Sequence, residues 1–268
     1  MSSTERDPWA PLARRTPARI ALGRAGASLP TREVLAFALA HARARDAVHA
    51  ALDVDELRQR LAELNLQAVA AASDAAAGER ALYLRRPDYG RRLSAESRAR
   101  LAALSAPPPE ATPDLALVIG DGLSAAAIRA HAIPFVQALL PHLAAQGLSL
   151  SPVVVATGAR VALGDEAGEL MRARAVAVLI GERPGLSSPD SLGVYLTYAP
   201  QPGRSDAERN CISNIRTGGL PYGLAAFKLA WLIREALRRF LTGVDLKDES
   251  DDALASAGGS AAPLPPPE

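Results

Sequence analysis

Apolar residues along this chain follow two rhythms. Over roughly residues 31–104 they recur at helical spacing, and beyond 114 short unbroken apolar runs alternate with amphipathic stretches. In the first part Val34, Leu35, Ala38, Leu39 and Ala42 share one face, which predicts a helix from Thr31 to about residue 51. Asp53-Val-Asp-Glu56 sets a side-chain acceptor three residues ahead of a glutamate, the pattern of a capping box. Val54, Leu57, Leu61 and Leu64 follow at helical spacing, and residues 67–72 read as a short strand. In the second part 115–119, 152–156 and 175–180 are apolar runs bounded by Gly or Pro, which predicts strands buried on both faces. Between them lie one helical stretch broken near Pro134 and ending at Gly147, and another over 165–174. Residues 192–198 alternate as a fourth strand, a long polar loop follows, and an amphipathic helix covers about 222–241. Strand, helix, strand, helix, strand is the order of the α/β class, with a parallel sheet clothed by helices on both faces.

Proline, glycine and charge mark the boundaries. Residues 1–28 read as an extended arm that carries Pro8, Pro11 and Pro17. Residues 105–113 hold four prolines in nine positions. Proline lacks the backbone donor a helix needs, so this stretch is a linker between a mainly helical region, 29–104, and the α/β domain, 114–246. Residues 247–268 turn acidic, then rich in Ala, Gly and Ser, then end in prolines. That composition predicts a disordered tail, because it buries too little apolar surface to offset the entropy of ordering.

Composition removes several function classes. Thirty basic against 29 acidic residues give a net charge of +1, so there is no bulk attraction to nucleic acid or to an anionic membrane. One cysteine rules out a disulfide framework and a Cys-rich zinc site. His41, His49, His131 and His142 show no metal-ligand spacing. No run approaches the roughly 18 apolar residues of a membrane span, and the N-terminus lacks the apolar core of a secretory signal. A cytoplasmic protein is the expectation.

Candidate chemistry belongs at the carboxyl ends of the strands, where parallel sheets open to ligands. Gly120-x-Gly122-x-x-Ala125 follows a strand and opens a helix, as in dinucleotide-binding turns. The acid that should hold a ribose about 20 residues later is missing, since none occurs between Asp121 and Asp165. A tight turn capped by Ser124 explains the glycines equally well. By geometry alone Asp121, Gly122 and Ser124 are weaker site candidates. Glu182 ends an apolar strand and suits either hydrogen bonds from a ligand or an ion pair with Arg183 or Arg160. Cys211 lies in a polar loop, and nothing in the sequence lowers its pKa. The run from Arg80 to Arg92 mixes five arginines with two tyrosines, a composition of protein interfaces or of a solvated turn.

Several of these segments, taken in order, resemble the small (light) subunit of ethanolamine ammonia-lyase. They are Thr16-Pro-Ala-Arg-Ile-Ala-Leu-Gly-Arg-Ala-Gly-Ala-Ser-Leu-Pro-Thr-Arg-Glu33, Arg85-Arg-Pro-Asp-Tyr-Gly-Arg-Arg92, Asp121-Gly-Leu-Ser124, Gly181-Glu-Arg-Pro-Gly-Leu186 and Cys211-Ile-Ser-Asn-Ile215. The resemblance covers about residues 16–243. It implies a Rossmann-like cobalamin-binding domain in the C-terminal part, after a mainly helical region that docks on the large subunit. It implies adenosylcobalamin as cofactor, held against a large barrel subunit that binds ethanolamine and carries the radical chemistry, in an assembly of six large and six small chains. The family's cobalamin contacts fall on Val161, Glu182 and Cys211, and no catalytic residue is expected in this chain. A one-residue shortening against some relatives falls within residues 199–206, between Glu182 and Cys211. No Asp-x-His-x-x-Gly string occurs, so the cobalt is expected to keep its own benzimidazole as lower ligand. Some relatives reside in a bacterial microcompartment, addressed by an N-terminal amphipathic segment. The three prolines of residues 1–17 and the lack of a clear apolar stripe there argue against that address. The competing reading is a stand-alone nucleotide-binding or regulatory module, since this type of sheet hosts many functions.

Overall fold

The computed structural model describes residues 9–76, 80–104, 112–256, 258 and 261–262. Most of the proline-rich linker, 105–111, and residues 263–268 of the tail lie outside the described residues. The helices are α1 (Ala10–Ala13), α2 (Thr31–His49), α3 (Val54–Glu63), α4 (Arg80–Arg85), α5 (Ala95–Leu104), α6 (Ala125–Ala145), α7 (Leu163–Leu170), α8 (Tyr222–Arg239) and α9 (Ser250–Ser256). The strands are β1 (Ala68–Ala72), β2 (Leu115–Gly120), β3 (Val153–Thr157), β4 (Ala175–Gly181), β5 (Leu192–Tyr198) and β6 (Asn210–Ile215).

These strands form one sheet in the order β1-β3-β2-β4-β5-β6. The first four are mutually parallel, while β4–β5 and β5–β6 pair antiparallel. The α/β class therefore holds, but the sheet is mixed where a parallel one was expected. The cause is connection length. The link from β4 to β5 spans only ten residues and holds no helix, so it can return the chain only in the opposite sense.

Every residue of β2 and β4 is buried. Alternate side chains serve two cores. Leu115, Leu117 and Ile119 pack with α3, α6 and α8, while Ala116, Val118, Val176 and Val178 pack with α5 and α7. Helices thus cover both faces of the sheet, which is why its central strands read as unbroken apolar runs.

Four local expectations change. The helix after β2 runs unbroken through Pro134 and Pro141. Each proline removes one helical hydrogen bond, but α6 buries side chains on most of its circumference, so tertiary packing holds it together. The polar loop after β5 contains a strand, β6, at the sheet edge. It escapes the apolar pattern because only Ile212 and Ile215 are buried in it. The strand foreseen in the mainly helical region, β1, joins this same sheet beside β3. Part of the segment expected to be a disordered tail is helix α9. It is tied to α8 by Lys228, whose Nζ lies 2.6 Å from Asp251 and 3.1 Å from the buried Ser250 hydroxyl.

No helix among the described residues is long and apolar enough to cross a membrane. Asp53 caps α3 by accepting from the Glu56 amide at 2.9 Å, one half of the expected capping box.

Candidate functional site

The chain leaves β2 for α6 toward one side of the sheet and leaves β4 for β5 toward the other. Their carboxyl ends therefore form the switch point of the sheet, at the crevice where ligands usually bind in open α/β sheets. A cavity of about 280 Å³ lies there, lined by Tyr83, Gly122, Arg160, Val161, Glu182 and Tyr195 among others. A larger hollow of about 590 Å³ is lined by Arg98, Arg204 and Arg209. Those guanidiniums are engaged: Arg98 with Glu166 at 2.5 Å, Arg204 with Glu208 at 2.6 Å, and Arg209 with buried Asp165 at 2.6 Å.

The floor of the crevice is backbone. Gly122 has φ +56°, and a Cβ on it would stand 2.4 Å from the Gly181 carbonyl oxygen and 2.5 Å from Ile180 Cγ1. Only glycine lets the two turns touch here, and the Leu123 amide donates to the Gly181 carbonyl at 2.9 Å. Asp121 is buried and spends both oxygens on the protein. It accepts from the Gly158 and Ala159 amides at 3.0 and 2.9 Å, and Arg80 Nη1 stands 3.4 Å away. Burial raises the Asp121 pKa, and the two amides and Arg80 oppose that rise. Ser124 is fully buried, caps α6 by accepting from the Ala127 amide at 3.2 Å, and donates to the Pro189 carbonyl at 3.0 Å. Of the three weaker candidates, only Gly122 lines the cavity.

Val161 stands just ahead of α7, half-buried, and faces the cavity. Glu182 follows β4 and forms no ion pair with Arg183 or Arg160. Instead Ser191 Oγ donates to its carboxylate at 2.5 Å and the Asn214 amide at 3.3 Å. Cys211 is exposed on edge strand β6, opposite Tyr195 of β5. Protein bulk around its sulfur, and then the Glu182 carboxylate, raise the thiol pKa, while a hydrogen bond with Tyr195 lowers it. Tyr195, lining the cavity, thus links Cys211 to the wall that holds Val161 and Glu182. The segment after β4 is fixed at its far end, where Asp190 lies 3.2 Å from Nε2 of buried His131. The Nδ1 of that histidine is 2.7 Å from the Tyr222 hydroxyl.

The remaining wall comes from the Arg/Tyr run before the linker. Tyr83 is buried, donates its hydroxyl to the Ala159 carbonyl at 3.0 Å, and carries a guanidinium near each side of its ring. Arg80 lies 4.3 Å and Arg160 4.4 Å from the ring centre. Burial pushes the phenol up to about 12, against the two arginines. Sequence pattern alone offered an interface or a turn for this run; the stack needs residues 77 apart in the chain.

The residues present suit an amide-rich cofactor. Glu182 offers a carboxylate acceptor, Arg160 carries a buried Nε without a hydrogen-bond partner, and the glycine floor admits close approach. A cavity of this size would take only one edge of a corrinoid.

Fold and crevice define an α/β protein with an open crevice at the carboxyl edge of a helix-covered sheet. Comparison with known proteins narrows the class. The family model described as ethanolamine ammonia-lyase light chain (EutC) matches residues 6–247. The ethanolamine ammonia-lyase small subunit of Bradyrhizobium diazoefficiens is 59% identical over 249 residues, covering 92% of this chain and 93% of that protein. That of Rhodopseudomonas palustris is 58% identical over 246 residues, covering 92% of each. That of Azotobacter vinelandii is 52% identical over 259 residues, covering 97% of this chain and 95% of that protein. The chain belongs to the ethanolamine ammonia-lyase small-subunit family.

Proposed function

We propose that this chain is the cofactor-holding small subunit of an adenosylcobalamin-dependent ethanolamine ammonia-lyase, which converts ethanolamine to acetaldehyde and ammonia. The observation that carries the reading is convergence. Val161 and Glu182, on separate segments, line one crevice, Cys211 stands beside it as the cross-strand partner of the lining Tyr195, and the crevice is too small to enclose a corrinoid alone. When bound, the cofactor supplies a carbon radical by homolysis of its cobalt–carbon bond. The residues of this chain bind and orient it. Glu182, held by Ser191 and the Asn214 amide, presents a carboxylate to amide donors. Gly122 lets the backbone approach, and Val161 and Tyr195 exclude water. A large barrel subunit covers the open side and binds ethanolamine, with six chains of each kind in the assembly. The sheet is read as a Rossmann-like variant with β5 and β6 appended through antiparallel pairings, and the protein as intracellular.

The test is co-expression with a large subunit, followed by acetaldehyde formation with and without adenosylcobalamin and with each chain omitted. Turnover should require both chains and the cofactor. A soluble two-chain complex that binds cobalamin but does not turn over ethanolamine refutes the substrate assignment. A chain that takes up no cobalamin with its partner refutes the cofactor role and favours a nucleotide-binding module.

A further inference from the structure

The crevice holds a cation that the fold itself does not use. Arg80 and Arg160 flank the same tyrosine, but their surroundings differ. Arg80 is fully engaged: Nε donates to the Val48 carbonyl at 2.7 Å, Nη2 to the Gly122 carbonyl at 2.7 Å, and Nη1 faces Asp121. Arg160 has no carboxylate partner among the described residues. Its Nη2 makes one long bond, 3.3 Å, to the Tyr83 carbonyl, and its buried Nε has no acceptor. A donor left this way is costly, and a guanidinium stacked on a ring is held in place to meet a planar or tetrahedral anion.

The chain also makes room for this side chain. A Cβ on Gly90 would come within 2.7 Å of Arg160 Cγ, and the Gly90 carbonyl accepts from the Arg160 amide at 2.7 Å. The Arg85-Arg-Pro-Asp-Tyr-Gly segment therefore seats Arg160 against Tyr83 and toward the cavity.

We infer that Arg160 is the anion-holding residue of the crevice and that it receives the phosphodiester of the cofactor's nucleotide tail. This rests on the cobalamin reading. Cobalamin carries many neutral amides, which suit Glu182, and a single phosphodiester, which suits Arg160: its unfilled donor is buried, whereas Arg183, the other arginine lining the cavity, is exposed to solvent. The nucleotide tail is thereby placed on the Tyr83 side of the crevice and the corrin amides on the Glu182 side.

The experiment measures equilibrium binding to the complex with the large subunit, by corrinoid absorbance. The ligands are cobalamin, cobinamide, which lacks the nucleotide tail, and cobinamide phosphate, which keeps the phosphate but lacks the base. Wild type should bind cobalamin and cobinamide phosphate more tightly than cobinamide. Arg160→Gln should weaken cobalamin and cobinamide phosphate about 10- to 100-fold and leave cobinamide unchanged, the loss of a charged hydrogen bond to the phosphate. Arg160→Lys should recover part of that loss, because it restores the charge but not the fork. Equal weakening of all three ligands, or none, overturns the assignment and leaves Arg160 a support for Tyr83. Wild-type complex that binds none of the three refutes the cobalamin reading itself.

Discussion

Asp121 sits at the junction of three turns, and Asp121→Asn tests whether it is a strut. In the native chain its two oxygens accept the Gly158 and Ala159 amides, which tie the end of β2 to the end of β3, and it faces Arg80. An asparagine retains one acceptor and presents an NH2 group to the second amide. One buried N–H is orphaned, at a cost of about 1–3 kcal/mol. Arg80 also loses its counter-charge; breaking a buried pair costs about 3–5 kcal/mol at most. Arg80's side chain is 18% exposed and the contact is long at 3.4 Å, so the charge contributes toward the low end. The expected total is about 2–4 kcal/mol, because these costs share the same geometry and do not add in full. Urea unfolding, with midpoint and slope both fitted, reads it. The double variant with Arg80→Gln should lose less than the two single losses summed, by about 1 kcal/mol. A loss under about 0.5 kcal/mol for Asp121→Asn would mean that these bonds contribute no more than an exposed polar contact, and would sink the strut argument.

Other outcomes follow from the same geometry. Gly122→Ala should cost about 2–4 kcal/mol and disorder the crevice, since its Cβ meets backbone and cannot be relieved by a rotamer change; a near-native unfolding midpoint would show that the turns can separate. Glu182→Gln should weaken cobalamin binding in the complex by about 1–3 kcal/mol, and unchanged affinity rejects its role as acceptor. Tyr83 is raised above its unfolded value, so its neutral form is the one the fold favours. Its contribution is intact below pH 10 and is lost as pH rises toward about 12, up to roughly 3 kcal/mol. A Tyr83→Phe variant with the same alkaline loss would assign that loss to other groups. Electron paramagnetic resonance of bound cob(II)alamin should show coupling to the benzimidazole nitrogen, and coupling to a protein histidine nitrogen would overturn the base-on expectation.

Much of the architecture was legible in the chain because its cause is local. A strand covered on both faces must be apolar at every position, so β2, β3 and β4 announce themselves, and their carboxyl ends point to Gly122, to Glu182 and to the 157–164 turn, within which the family resemblance picks Val161. Asp53 and Ser124 read as caps because a short acceptor side chain is what an open helix start requires. The Gly122 turn was visible as a glycine pattern, though not its purpose, which is contact with Gly181.

Tertiary structure decided the rest. Strand direction depends on how the chain returns, so β5 reversed against β4 and β6 reversed again against β5. An edge strand needs few apolar residues, so Cys211 read as loop and proved to be the cross-strand partner of Tyr195. Pro134 looked like a break, yet α6 continues through it and Pro141 because burial along its length outweighs two missing hydrogen bonds. The Arg80–Tyr83–Arg160 stack joins side chains from either side of the proline-rich segment. Its parts are ordinary in sequence, and only packing gives one arginine its full set of partners and leaves the other with a donor to spare.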